Sequence, residues 1–127
     1  MKTNNEIQLD HLAIPATDPK KSAELLAAIL GLDTFTDGHR DDPFYCVAFS
    51  GTQIMFAETK QKIDLVHCAF RVSERKFSEV VANLKRIGLP YGNDHENPTN
   101  FEISDFLGGK GRVYFYMPDG HMLEVCA

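Results

Sequence analysis

An internal repeat governs how this chain can fold. His67 stands 56 residues after His11, and Gly88 stands 57 after Gly31. Gly120 stands 69 after Gly51, an offset that aligns Tyr45 with Tyr114 and Met55 with Glu124. The second copy is therefore about a dozen residues longer, and the extra length falls in the polar stretch 92–111. With 127 residues there is room for one compact domain and not for two independent ones. We expect a single domain over 1–127, with modules at about 6–60 and 63–127.

Each copy reads as strand, helix, then strands. Residues 7–14 alternate as a strand that Pro15 ends. Asp18 is a helix N-cap with Pro19 at the first helical position. Helix formers run over 20–30 until Gly31 stops them. Strands follow at 44–49 and 52–57, joined by Ser50-Gly51. In the second copy, 64–72 is a strand and Ser73 an N-cap. Phe77, Val80, Val81, Leu84 and Ile87 form an apolar stripe at helical spacing, and Gly88 closes it. Residues 112–116 and 121–126 are strands around the turn Pro118-Asp119-Gly120. The fold class is α+β: two tandem βαβββ modules forming a curved mixed sheet around a cavity, with helices on the other face.

Composition narrows function by exclusion. The net charge of −5 and the lack of a basic run speak against nucleic acid. No apolar run is long enough to span a bilayer, and the N-terminus has no apolar signal core. Cys46, Cys68 and Cys126 are scattered in apolar runs, as in a reducing compartment. These readings predict a cytoplasmic protein.

Strand alternation then selects the side chains that face the cavity. If Leu12 and Ile14 face the helices, His11 and Ala13 face inward. By the same parity His67, Met122, Glu124, Arg112, Tyr114 and Tyr116 face inward, as do Gln53 and Met55. Three strands thus each present a metal-ligand type: His11, His67 and Glu124. Two imidazoles and a carboxylate suit a divalent ion with open coordination positions. The plainer readings are hydrogen-bonding strand histidines and a Glu124 paired with Arg112. His95, Asn100 and Asp105 lie in the polar stretch, which is placed to act as a lid. His95 is a candidate acid or base, or a solvated loop residue. His39 reads as surface, and the parity of His121 points away from the cavity.

At these residues the sequence resembles the vicinal oxygen chelate superfamily, which includes glyoxalase I, fosfomycin-resistance enzymes, extradiol dioxygenases and bleomycin-resistance proteins. The matching stretches are 9–14, the helix from Asp18-Pro19 to Leu30-Gly31-Leu32, residues 66–70, and above all 111–124. The resemblance implies metal ligands at His11, His67 and Glu124. It also implies a homodimer in which modules of different chains can complete each site. Tyr114, ten residues before Glu124, would line the metal site and donate a hydrogen bond as negative charge develops; alternatively it packs at the rim. Tyr45, Met55, Arg112 and Tyr116 are the expected substrate contacts, with Arg112 either clamping an anionic group or ending its strand in a salt bridge. The chain departs from glyoxalase I, because Met55 stands where that pattern has a fourth ligand.

The expected activity is that of a metal-dependent enzyme of dioxygenase or lyase type. Its small-molecule substrate would chelate one divalent ion through adjacent oxygens. Fe(II) would suit ring cleavage, and Mn(II), Zn(II) or Ni(II) an isomerase, lyase or thiol transferase. The alternative is a metal-free protein that sequesters a small molecule, with Tyr45, Phe101, Tyr114 and Tyr116 as stacking surfaces.

Overall fold

A computed structural model describes residues 1–37, 41 and 43–127. His39 lies outside the described residues. The elements run β1 (His11–Ala16), α1 (Pro19–Leu30), β2 (Phe35–Thr36), β3 (Tyr45–Phe49), β4 (Thr52–Glu58), β5 (His67–Arg71), α2 (Glu74–Ile87), β6 (Arg112–Tyr116) and β7 (Met122–Cys126).

Local chemistry sets both helices. Asp18 accepts from the Lys21 amide at 3.1 Å, and Pro19 opens α1 with a φ suited to the first turn. Gly31, at φ 71°, closes it in the left-handed conformation. Ser73 caps α2 in the same way through Lys76. Glu74 in the first turn and Lys85 and Arg86 in the last complement the helix dipole.

The strands form two mixed sheets, in the orders β1-β4-β3-β2 and β5-β7-β6. In each, the first strand runs parallel to the last and forms a sheet edge. The duplication extends to the shortest element. Phe35 of β2 pairs with Cys46, and in the second module Gly92 makes a single bridge to Tyr114. A single bridge leaves no signal in the sequence, because one residue pair carries no alternation.

The apolar faces meet in one core. Leu26, Ile29 and Leu30 of α1 join Ile14, Val47, Ile54 and Phe56. Phe77, Val80 and Leu84 of α2 join Val113, Phe115, Leu123 and Val125. The helices pack on each other, and Asn83 donates to the Ile29 carbonyl at 3.0 Å. The opposite sheet faces carry the polar candidates. Among the described residues no helix is long and apolar enough to cross a membrane.

Two expectations about strands are corrected. Residues 7–10 are irregular, with Ile7 and Leu9 exposed, and β1 continues through Pro15 to Ala16. An edge strand tolerates the missing amide of proline. The second concerns Tyr45, which pairs with Phe56 and packs against the core. Phe49 and Thr52 enclose two turn residues, whereas the Met117 amide donates to His121 across three. The offset of 69 therefore holds for β4 and β7 but becomes 68 for β3 and β6. Cys46, not Tyr45, is the counterpart of Tyr114, since Cys46 pairs with Met55 and Tyr114 with Glu124. Tyr45 faces the helix side and is withdrawn as a cavity residue.

Candidate metal and substrate site

The sheet of the second module assembles most of the site. Parallel pairing sets His67 beside Met122 and Ala69 beside Glu124. The small Ala69 leaves room for the two long side chains to converge, and His67 Nε2 lies 3.0 Å from Glu124 Oε1. His67 Nδ1 is 2.8 Å from the Met122 carbonyl, an acceptor only, so Nδ1 carries the proton. Nε2 then turns its lone pair toward a carboxylate oxygen. Such a pair needs an electropositive partner, either a second proton or a metal ion. Neighbouring ligands about 2.1 Å from one ion and at right angles are themselves about 3 Å apart, so the spacing fits an ion. Glu124 is 6% exposed, and His67 stands at the open surface.

Arg112 occupies the other side of Glu124. Its Nη1 is ion-paired with Glu124 Oε2. Its Nε and Nη2 donate to Asp105 Oδ1 and Oδ2 at 2.9 and 3.3 Å, a side-on fork. The Arg112 and Asp105 side chains are 11% and 3% exposed. The Arg112 hydrogen bonds, with help from the Leu107 amide, hold the Asp105 carboxyl below its ordinary range. Asp105 in turn raises the Arg112 guanidinium above its usual value. The guanidinium is committed to two carboxylates. Of its two expected roles, the substrate clamp is therefore corrected and the salt bridge holds.

Tyr114 stands between two imidazoles. Its ring lies parallel-offset to His67, with centroids 6.1 Å apart at 25°, and tilted to His95 at 6.3 Å. Tyr114, His95, Arg112, Asn93, Phe106 and Leu107 line a cavity of about 350 Å³. The expected lid is tied down. Asn93, 3% exposed, donates to Ser104 and accepts from Asn100, while the Phe101 amide donates to Tyr91 and the Arg112 amide to Ile103. His95 sits 3.9 Å from Asp94 and 3.8 Å from Glu96, too long for hydrogen bonds.

His11 is on the other sheet. Its Nδ1 lies 2.7 Å from Asp10 Oδ2, which orients the ring and leaves Nε2 available. Among the described residues no group of three His, Cys, Asp or Glu can hold one ion, so His11 does not join His67 and Glu124 within a chain. Met55 is half-buried on the face of His11, and Tyr116 is 46% exposed on the face of Glu124. His121 is 1% exposed and turned away from the site. Sequence reasoning placed Asp105 only in the expected lid and gave Asp10 no role. Adjacency to His11 signals Asp10, but nothing local signals Asp105.

No protein-family model matches the sequence, and no curated protein does. Solved structures do. Oxidase ChaP-H2 is 34% identical, with 95% of this chain and 93% of that one covered and a TM-score of 0.83. Oxidase ChaP-H1 is 31% identical, with 95% of each chain covered and a TM-score of 0.82. A variant of the fosfomycin resistance protein FosX from Listeria monocytogenes, solved with Mn(II) and 1S,2S-dihydroxypropylphosphonic acid, is 19% identical over 94% of this chain and 91% of that one. Its TM-score of 0.70 shows a shared fold.

Proposed function

This chain belongs to the vicinal oxygen chelate superfamily, and on that premise we propose that it is a divalent-metal-dependent enzyme acting on a small substrate with adjacent oxygens. The observation that carries this reading is the His67–Glu124 pair, with Nε2 3.0 Å from Oε1 and Nδ1 anchored on a carbonyl. His67 and Glu124 of one chain and His11 of a second copy in a homodimer would hold the ion. Each histidine has its Nδ1 engaged; His11 leaves Nε2 available, and His67 directs Nε2 at Glu124 Oε1.

A bound ion would supply Lewis acidity toward two substrate oxygens. The rest falls to the chain's own side chains. Tyr114 donates its phenol hydrogen bond to a substrate oxygen as negative charge develops. Phe106 and Leu107 supply an exposed apolar wall of the cavity, and Met55 and Tyr116 would contact the substrate. The identity above 30% to two proteins named as oxidases favours oxidative chemistry over a lyase or isomerase reaction. The three cysteines are free, which suits a cytoplasmic setting. The competing reading, metal-free sequestration of a small molecule, draws on the apolar cavity wall of Phe106, Leu107 and Tyr114.

Elemental analysis and calorimetric metal titration test the proposal. The protein is expected to hold about one divalent ion per chain, and His11→Ala, His67→Ala and Glu124→Ala to lose it. Co-refolded His11→Ala and Glu124→Ala chains should recover about a quarter of the sites, because each mixed dimer rebuilds one. A wild-type protein that binds no divalent ion overturns the enzyme reading in favour of sequestration. A metal panel with catechols, epoxides and thiol hemiacetals then sorts the reaction.

A further inference from the structure

The cluster Asp105–Arg112–Glu124 is more elaborate than a strand-end salt bridge requires. Arg112 reaches Glu124 with one nitrogen and Asp105 with two. Asp105 is itself fixed: its Oδ1 also accepts from the Leu107 amide at 2.9 Å, and its carbonyl from Gly108 at 3.1 Å. The two oxygens of Glu124 are thereby made unlike. Oε2 is covered by the guanidinium, and Oε1 faces His67 Nε2 at 3.0 Å.

We propose that Asp105 is a positioning residue for the metal: through Arg112 it turns Glu124 so that a single oxygen, Oε1, is offered to a divalent ion. This rests on the reading of His67 and Glu124 as ligands. The charge balance explains the need for Asp105. An uncompensated guanidinium against Glu124 would compete with the ion for both carboxylate oxygens. Asp105 divides that positive charge and pins the fork, so Arg112 orients Glu124 without claiming it. Single-oxygen ligation would keep coordination positions open for two substrate oxygens. The Asp105 carboxyl is held below its ordinary range by Arg112, in keeping with an ionised partner throughout the neutral range.

The test is calorimetric titration of the dimeric protein with Mn(II), together with the visible absorption spectrum of Co(II) added in its place. Asp105→Asn should weaken Mn(II) binding about tenfold or more and change the Co(II) spectrum. Asp105→Glu, which keeps the charge, should recover most of the affinity. Arg112→Lys, which keeps a charge but cannot span both carboxylates, should weaken binding as well, and it carries the test if Asp105→Asn fails to fold. Wild-type affinity and an unchanged Co(II) spectrum in the folded variants would overturn the inference and leave the metal site standing. A wild-type protein that binds neither ion overturns both readings together.

Discussion

His121 donates from Nε2 to the carbonyl of Pro15 at 2.8 Å, joining the turn after β6 to the first strand 106 residues away. Its Nδ1 accepts from the Val66 amide at 3.0 Å, so both ring nitrogens are used. Beside it, Asp119 accepts from the Thr17 amide and hydroxyl at 3.1 and 2.6 Å. These contacts lock the modules of one chain together. His121→Ala would strand an amide and a carbonyl, and should cost about 2–4 kcal/mol in urea unfolding. An unchanged midpoint would show that the two bonds contribute nothing.

The clasp around Asp105 depends on a glycine. A Cβ on Gly109 would collide with the Asp105 carboxylate and lie 2.7 Å from the Ala127 carbonyl. Gly109→Ala should destabilise the protein by about 1–3 kcal/mol and weaken Mn(II) binding. Gly108→Ala is the contrast. It has open space but a φ of +88°, so its cost is backbone strain alone and Mn(II) binding should persist. Equal metal affinity in both variants would sink the distinction.

Acid stability follows from the same ion pair. Arg112 holds the folded Asp105 carboxyl below its ordinary value, so the unfolded chain takes up a proton first as the pH falls. The stabilisation from this group is complete above the unfolded pKa of about 3.9 and disappears as the pH falls through the lower folded value. Urea unfolding followed from about pH 6 to 2 should show a steeper loss for the wild type than for Asp105→Asn. Parallel curves would contradict this.

The thiols supply a separate readout. Burial, reinforced by the charge of Asp37, pushes the Cys46 thiol up, and burial alone raises Cys68. Both should resist iodoacetamide at about pH 8 until the protein unfolds, since only the thiolate reacts. Rapid native labelling at either position, mapped by mass spectrometry, would count against the packing of β3 or β5.

Tyr114 tests the chemistry. Tyr114→Phe preserves the ring against His67 and His95 but removes the hydroxyl. Metal affinity should be unchanged, while turnover on the substrate found from the panel should fall about a hundredfold. A fall in metal affinity with unaltered turnover would reassign Tyr114 to packing.

Local signals were the most legible. Asp18, Pro19 and Gly31 bound the first helix, and Ser73 and Gly88 the second, because capping is a matter of a few neighbouring backbone groups. Alternation placed Arg112–Tyr116 without error. Counting failed at Tyr45, where a turn one residue shorter than its counterpart reverses the face of every preceding side chain. Pro15 misled for a related reason, since only the sheet order reveals that β1 is an edge.

By itself, the sequence determined the duplicated βαβββ plan, which follows from the repeat, and the two helices and the faces of His11, His67 and Glu124, which follow from short-range periodicity. Tertiary structure decided the partners. It brought His67 to Glu124, kept His11 on a separate sheet, and decided between the two readings of Arg112 by making it a bridge between Asp105 and Glu124. The physical reason is that periodicity specifies the direction of a side chain. Which charges meet is settled only when sheet order and a pinned loop fix the distances between them.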